Sequence, residues 1–159
     1  MDQKLSIILH RILDFLHIKH TEGMIASLLQ FIKFGIVGVS NTLIAYFLNV
    51  TVLLLLRPYN LSWDYVVGNI VAFLLSVLWS FYWNNKYVFK LGDGQKRAIG
   101  KTLFKTYLSY AFTGIVLNNI LSFVWIDMLH ISKFTAPIIN LLVSVPLNFI
   151  INKRWAFKV

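Results

Sequence analysis

No cysteine occurs in the 159 residues, so the chain has no disulfide framework, no thiolate metal site and no catalytic thiol. Acid is almost as scarce: Asp2, Asp14, Glu22, Asp64, Asp93 and Asp127 are the whole complement, and charged residues of both signs make up only 13% of the chain. A soluble domain carries about 25% charge. Here 58% of the residues are apolar and mean hydropathy is +0.70, which excludes an ordinary soluble enzyme. The long apolar runs hold no Asp, Glu, Lys, Arg or His at mid-depth. A proton-coupled carrier keeps such a group inside the membrane, so the small drug antiporters are a poor match. No Gly-rich phosphate loop with its Lys is present, and no nucleophile–base constellation stands out. The chain is expected to be no enzyme and to need no cofactor and no metal.

What the chain does have is uncharged length. Residues 34–56, 65–85, 106–126 and 134–152 read as four transmembrane helices, each near the 20 residues a bilayer requires. Arg57-Pro58-Tyr59-Asn60 ends the first, because Pro58 cannot continue the ladder and disfavours helix at Arg57. Pro137 lies near the start of the fourth and Pro146 inside it, where a kink is expected. Residues 1–27 form a separate N-terminal segment. Leu5, Ile8, Leu9, Ile12, Leu13 and Leu16 recur at helical spacing there, with Lys4, Arg11, Asp14, His17 and Lys19 mostly opposite. That pattern predicts an amphipathic helix on the membrane surface, although a helix packed on a partner protein gives the same pattern. His10, His17 and His20 fit its solvated face better than a metal site. Charges break the run and no small-residue cleavage site follows, so a cleavable signal peptide is a poor fit.

Four spans put both termini on one side. Thirteen of the fifteen basic residues then share that side, and only Arg57 and Lys133 lie opposite. This bias predicts cytoplasmic termini. It also makes an inner face that attracts anionic membrane lipid. Nucleic acid is not an expected partner, because no separate basic domain exists to bind it.

The second and fourth spans repeat each other at a shift of 68 positions. Gly68, Ala72, Ser76, Ser80 and Asn84 fall on Ala136, Asn140, Ser144, Asn148 and Asn152. Asn84-Asn85-Lys86-Tyr87-Val88-Phe89-Lys90 falls on Asn152-Lys153-Arg154-Trp155-Ala156-Phe157-Lys158. The expected architecture is therefore an all-α integral membrane protein with four transmembrane helices arranged as two parallel repeats. Small residues at a spacing of four let helices approach closely, which is their ordinary use.

The repeated endings combine lysine, arginine, asparagine and rings at one depth. That set suits a lipid phosphate, with Arg favoured for two-pronged contact. The same residues also serve as plain membrane anchors. Lys33, Asn84, Asn85, Lys86, Asn152, Lys153 and Arg154 are the candidate phosphate ligands, and Tyr87, Phe89, Trp155 and Phe157 the candidate interfacial rings. Asn41, Asn69, Asn118, Asn140 and Asn148 lie within the spans. Amides are costly in hydrocarbon unless paired, so they either line a path for sugar hydroxyls or bond helix to helix.

The run Phe31-Ile32-Lys33-Phe34-Gly35-Ile36-Val37-Gly38-Val39-Ser40-Asn41-Thr42 resembles the opening of the GtrA-like family, and the two endings resemble its span-ending motifs. The resemblance covers about residues 28–158, and the four-helix membrane domain is set at 28–159. It implies a small bacterial plasma-membrane protein that moves a sugar on undecaprenyl phosphate from the inner to the outer leaflet. A subgroup acts in teichoic acid glycosylation. Expected partners are the polyprenyl-phosphate-linked sugar, a membrane glycosyltransferase and a second copy of the chain in a homo-oligomer. The alternative is a non-catalytic subunit that stabilises a glycosyltransferase.

Overall fold

The computed structural model describes residues 2–92, 94–132 and 135–158, and no strand occurs among them. Helix α1 (Asp2–Phe15) is followed by α2 (Glu22–Leu56), α3 (Asp64–Trp83), α4 (Ile99–Ala111), α5 (Asn118–Phe123) and α6 (Ala136–Ile151). Wider π-helical turns extend α3 through Asn84–Val88 and α6 through Asn152–Ala156. Two more, Phe112–Leu117 and Val124–Met128, join α4 and α5 into one rod, Ile99–Met128. Among the described residues, three helices are long and apolar enough to cross a membrane: Glu22–Tyr59, Asp64–Val88 and Ile99–Met128. The 16 residues of α6 span about 24 Å at 1.5 Å each, before its π turn adds length.

The first span begins twelve residues earlier than the apolar run indicated. Thr21 accounts for this: it caps α2 by accepting a hydrogen bond from Met24 N at 3.3 Å, with Glu22 in the first turn. Lys33 does not end the helix, because a long cationic side chain can lie along an apolar surface and reach for water. The third helix likewise starts at Ile99 rather than 106. Its buried face is Thr102, Thr106, Ser109 and Thr113, which hydropathy under-reads. The hydroxyls of Thr102, Thr106 and Thr113 donate to carbonyls four residues back. Helix α6 runs through Pro146 without ending. Phe134, the expected first residue of the fourth span, and Lys133, assigned to the outer side, lie outside the described residues.

The bundle is inside-out relative to a soluble protein. Ser76, Ser80, Asn84, Thr106, Ser109, Asn140 and Asn152 are buried, while Phe47, Leu54, Leu55, Ile115 and Leu142 are exposed. Helices in lipid gain little from burying leucine against leucine, so close packing and hydrogen bonds hold them together. Asn49 Nδ2 donates to Asn69 Oδ1 at 2.9 Å, and Trp79 Nε1 to Ser40 Oγ at 3.2 Å, tying α2 to α3. Ser109 Oγ donates to Asn148 Oδ1 at 2.8 Å between α4 and α6. Asn140 Nδ2 reaches Ser122 Oγ at 2.8 Å and Asn118 O at 3.3 Å.

The small-residue stripe of α3 faces inward, with Gly68, Ala72, Ser76 and Ser80 all buried. Gly68 marks the tightest approach, where an added Cβ would lie 3.0 Å from Asn49 Nδ2. Gly68→Ile is therefore expected to push α2 from α3 and cost about 1–3 kcal/mol, and Gly68→Ala less, as read from thermal unfolding in detergent. Helix α1 is tied back by the connection after it: His10 Nδ1 and His20 Nε2 lie 2.9 Å apart, and His10 faces Glu22 at 3.6 Å. Leu13 is buried, whereas Ile8, Ile12 and Leu16 of the same stripe are exposed.

Candidate functional site

The two repeated endings meet. In each, the wide turn closes with the same bond: Phe89 N donates to Asn84 O, and Phe157 N to Asn152 O, both at 2.8 Å. Such turns insert an extra residue into the helical register and recur at functional sites. Here they bring Phe89 and Phe157 into the core, 5% and 3% exposed, and leave Tyr87 and Trp155 outside at 41% and 42%. Phe89 and Phe157, expected beside Tyr87 and Trp155 as interfacial rings, are thus interior residues. They stack on each other at 4.6 Å between centroids. Phe81 stacks on Phe157 at 5.7 Å, and its counterpart Phe149 stacks on Phe89 at 5.9 Å, so the contacts are reciprocal between the copies. Phe34 of α2 completes the cluster, with its ring 5.5 Å from that of Phe149.

Asn84 and Asn152 sit beneath these rings with no exposed surface. Asn84 Nδ2 donates to Ser80 Oγ at 3.1 Å, while Asn152 Nδ2 donates to Asn148 Oδ1 at 2.8 Å and Ser109 Oγ at 3.0 Å. The Oδ1 atoms of both, and those of Asn41 and Asn140, are buried without a donor among the described residues. An unmet buried acceptor costs about 1–3 kcal/mol, so four of them are a feature of the molecule that asks for an explanation.

One arginine joins the endings, and the sequence did not single it out. Arg97 Nη1 donates to Asn85 Oδ1 at 2.5 Å and Phe89 O at 3.0 Å, and its Nη2 to Phe157 O at 2.8 Å. Its guanidinium lies 5.1 Å from the centre of the Phe157 ring. Arg97 thus fastens the two endings through their last carbonyls. Partial burial pulls its guanidinium below its ordinary value, and an arginine stays charged nonetheless. Spacing alone did not reveal this role, because two of the three acceptors are backbone oxygens.

The cations of the endings attach to different ring sets. Lys86 Nζ donates to Tyr82 OH at 3.1 Å and stands over the rings of Tyr82, Trp83 and Tyr87 at 5.3–5.7 Å. Lys90 lies 5.8 Å over Tyr87. In the second ending, Lys153 Nζ donates to Ser27 Oγ at 2.9 Å and stands 5.5 Å over Phe149. Arg154 is exposed. Lys105 Nζ donates to Trp155 O at 3.1 Å and covers its ring.

A groove of about 350 Å³ opens between α2 and α3 beside the first ending. Lys33 and Lys90 lie on it with Tyr87, and Ile36, Val37, Trp79 and Trp83 form apolar walls. The stacked pair of Trp83 and Tyr87, 5.2 Å apart, makes one wall rigid. Trp83 Nε1 is buried there with no acceptor among the described residues. Among the described residues, neither Lys86 nor Lys90 pairs with a carboxylate. Cations, an unmet N–H and an apolar trough in series match an amphiphile with an anionic head and a hydrocarbon tail.

Comparison with known proteins agrees with this membrane setting. The family described as "GtrA/DPMS, transmembrane domain" matches residues 33–157. The chain is 31% identical over 106 residues to "Cell wall teichoic acid glycosylation protein GtcA" of Listeria monocytogenes serovar 1/2a, covering 65% of this chain and 71% of that protein. It is 26% identical over 99 residues to the protein of the same name from Listeria innocua serovar 6a, covering 62% and 68%. No solved structure matches. With that family spanning most of its length and three helices fit to cross a bilayer, the chain is a multi-pass membrane protein belonging to the GtrA/DPMS transmembrane-domain family.

Proposed function

We propose that this protein moves a polyprenyl-phosphate-linked sugar from the inner to the outer leaflet of a bacterial plasma membrane, for glycosylation of a cell-wall polymer such as teichoic acid. The groove between α2 and α3 carries the proposal. Lys33 and Lys90 lie on it, Lys86 stands over the Trp83 and Tyr87 rings of its wall, and its tryptophans suit a tail that stays in lipid. The Listeria relatives, named for cell wall teichoic acid glycosylation, support the polymer.

In this reading α2, α3, the α4–α5 rod and α6 are four spans with both termini cytoplasmic, and the exposed Ile8, Ile12 and Leu16 of α1 rest on the membrane surface. The reciprocal phenylalanine contacts support two parallel repeats. The first copy supplies Lys86 and Lys90, α2 supplies Lys33, and Lys153 of the second copy reaches Ser27 of α2. Asn84 and Asn152 are fully buried and Asn85 holds Arg97, so these three shape the endings from within, while Arg154 is the exposed cation of the second ending. The unmatched amide oxygens of Asn41 and Asn140 accept from sugar hydroxyls as the headgroup crosses, with Asn69, Asn118 and Asn148 holding the helices beside them. The protein performs no bond chemistry in this scheme, and removal of the sugar lipid outside drives the flow.

The scaffold alternative draws on the small-residue stripe and the surface helix as docking faces for a glycosyltransferase. Ala72, Ser76 and Ser80 are buried within this chain, which leaves the exposed Ile8, Ile12 and Leu16 of α1 as the face for that role. Reconstitution tests the transport reading. Proteoliposomes holding labelled polyprenyl-phosphate glucose are expected to exchange it between leaflets faster than empty liposomes, and equal rates would count against translocation.

A further inference from the structure

A second concave surface is lined in part by Arg97 itself. It encloses about 210 Å³ between the start of α4 and the end of the chain, and Lys96, Arg97, Lys101, Lys105 and Lys158 line it with Thr102. None of these cations pairs with a carboxylate among the described residues. Like charges gathered in one hollow repel, and no carboxylate among the described residues offsets them there.

Three further features point to an anion. Helix α4 begins at Ile99 with no side-chain cap on its first N–H groups, so the positive end of a 13-residue helix opens beside the hollow. At Gly100 an added Cβ would meet nothing within 4 Å, so that first turn is uncovered. Arg97 Nε is buried with no acceptor among the described residues, although both its other nitrogens are engaged. Partial burial also lowers the Arg97 pKa.

We propose that this hollow is a second phosphate site, separate from the carrier-lipid groove, taking a phosphate or diphosphate group that carries at least two negative charges. The group arrives either on a soluble anion or on the headgroup of an anionic lipid. Several lysines around open helix N–H groups suit the compact, multiply charged oxygens of phosphate better than a flat carboxylate. The site does not rest on the transport reading, since it shares no lining residue with the groove.

The full chain in neutral phosphatidylcholine nanodiscs is titrated with inorganic diphosphate by calorimetry. In parallel, nanodiscs containing phosphatidylglycerol are analysed by native mass spectrometry for retained lipid. Saturable diphosphate binding identifies a soluble ligand, and retained phosphatidylglycerol identifies a headgroup. Either signal should weaken about tenfold in Lys101→Gln/Lys158→Gln, because both exposed lysines line the hollow and bring charge to it. It should persist in Lys90→Gln, which alters the groove alone. Single Lys101→Gln gives the same reading should the double variant not fold. Absence of both signals, insensitivity to Lys101 and Lys158, or equal loss in Lys90→Gln would overturn the proposal.

Discussion

Arg97→Ala is expected to lower the unfolding midpoint of the purified protein by about 5–10 °C, the largest loss of stability for any exposed or half-buried residue of the chain. Three charge-assisted hydrogen bonds disappear at once, to Asn85 Oδ1, Phe89 O and Phe157 O. Each bond to a charged group contributes about 1.5–3 kcal/mol, but the side chain is only partly buried and water replaces some of what is lost. A net cost of about 2–3 kcal/mol follows. The cation over the Phe157 ring adds a smaller part, about 0.5–1 kcal/mol for a partly exposed pair. Arg97→Lys should recover little, because one ammonium cannot reach two carbonyls 68 positions apart in sequence with the fixed fork of a guanidinium. Thermal unfolding in detergent, read by tryptophan fluorescence, checks both variants. An unchanged midpoint in Arg97→Ala would show that the endings hold together without the clasp.

The second large effect concerns rate rather than stability. Neutralising Lys33, Lys86 and Lys90 together to Gln is expected to slow leaflet exchange of polyprenyl-phosphate glucose about 100-fold, equivalent to about 2.7 kcal/mol. Lys33 and Lys90 line the groove and Lys86 stands over its Trp83–Tyr87 wall, so a lipid phosphate there loses charge-assisted bonds worth more than neutral ones. Lys86 and Lys90 are exposed, so the fold should survive. The unfolding midpoint is the control, and it separates a transport defect from a folding defect. Trp83→Leu should act differently. It keeps the cations and removes both the stacked wall and the unmet N–H, so exchange should fall less and carrier-lipid affinity more.

Much of this site was legible in the residues. The recurrence of Asn, a basic residue, an aromatic, a gap, Phe and Lys marked both endings, and the structure joins them through Phe89 and Phe157. The reason for the Phe was not legible. The pattern placed it beside Tyr87 and Trp155 at the membrane surface, and only the wide turn at Asn84 and Asn152 brings it inside. Arg97 escaped for a different cause: it lies in a loop rich in lysine, and its partners are carbonyls, which leave no trace in side-chain spacing. The start of α4 escaped because its buried face is threonine and serine, whose packing value in a bilayer comes from small size and hydrogen bonding rather than hydropathy. The groove needed α2 beside α3, a pairing set by Asn49, Asn69, Ser40 and Trp79. Of these, the sequence marked Asn69 as a membrane-embedded amide, without the contact that pairs it with Asn49.

The claim on which the account turns is that the lysine and tryptophan groove holds the phosphate end of a polyprenyl carrier. A polyprenyl phosphate bearing a photoreactive diazirine near its head, incorporated with the protein into neutral nanodiscs, measures this directly. The account predicts that labelled peptides come from α2 around Lys33–Ser40 and from α3 around Trp79–Lys90, that unlabelled polyprenyl phosphate competes, and that Lys33→Gln/Lys90→Gln removes the signal. Labelling spread evenly over the lipid-facing leucines and phenylalanines, indifferent to competitor and to both substitutions, would contradict it.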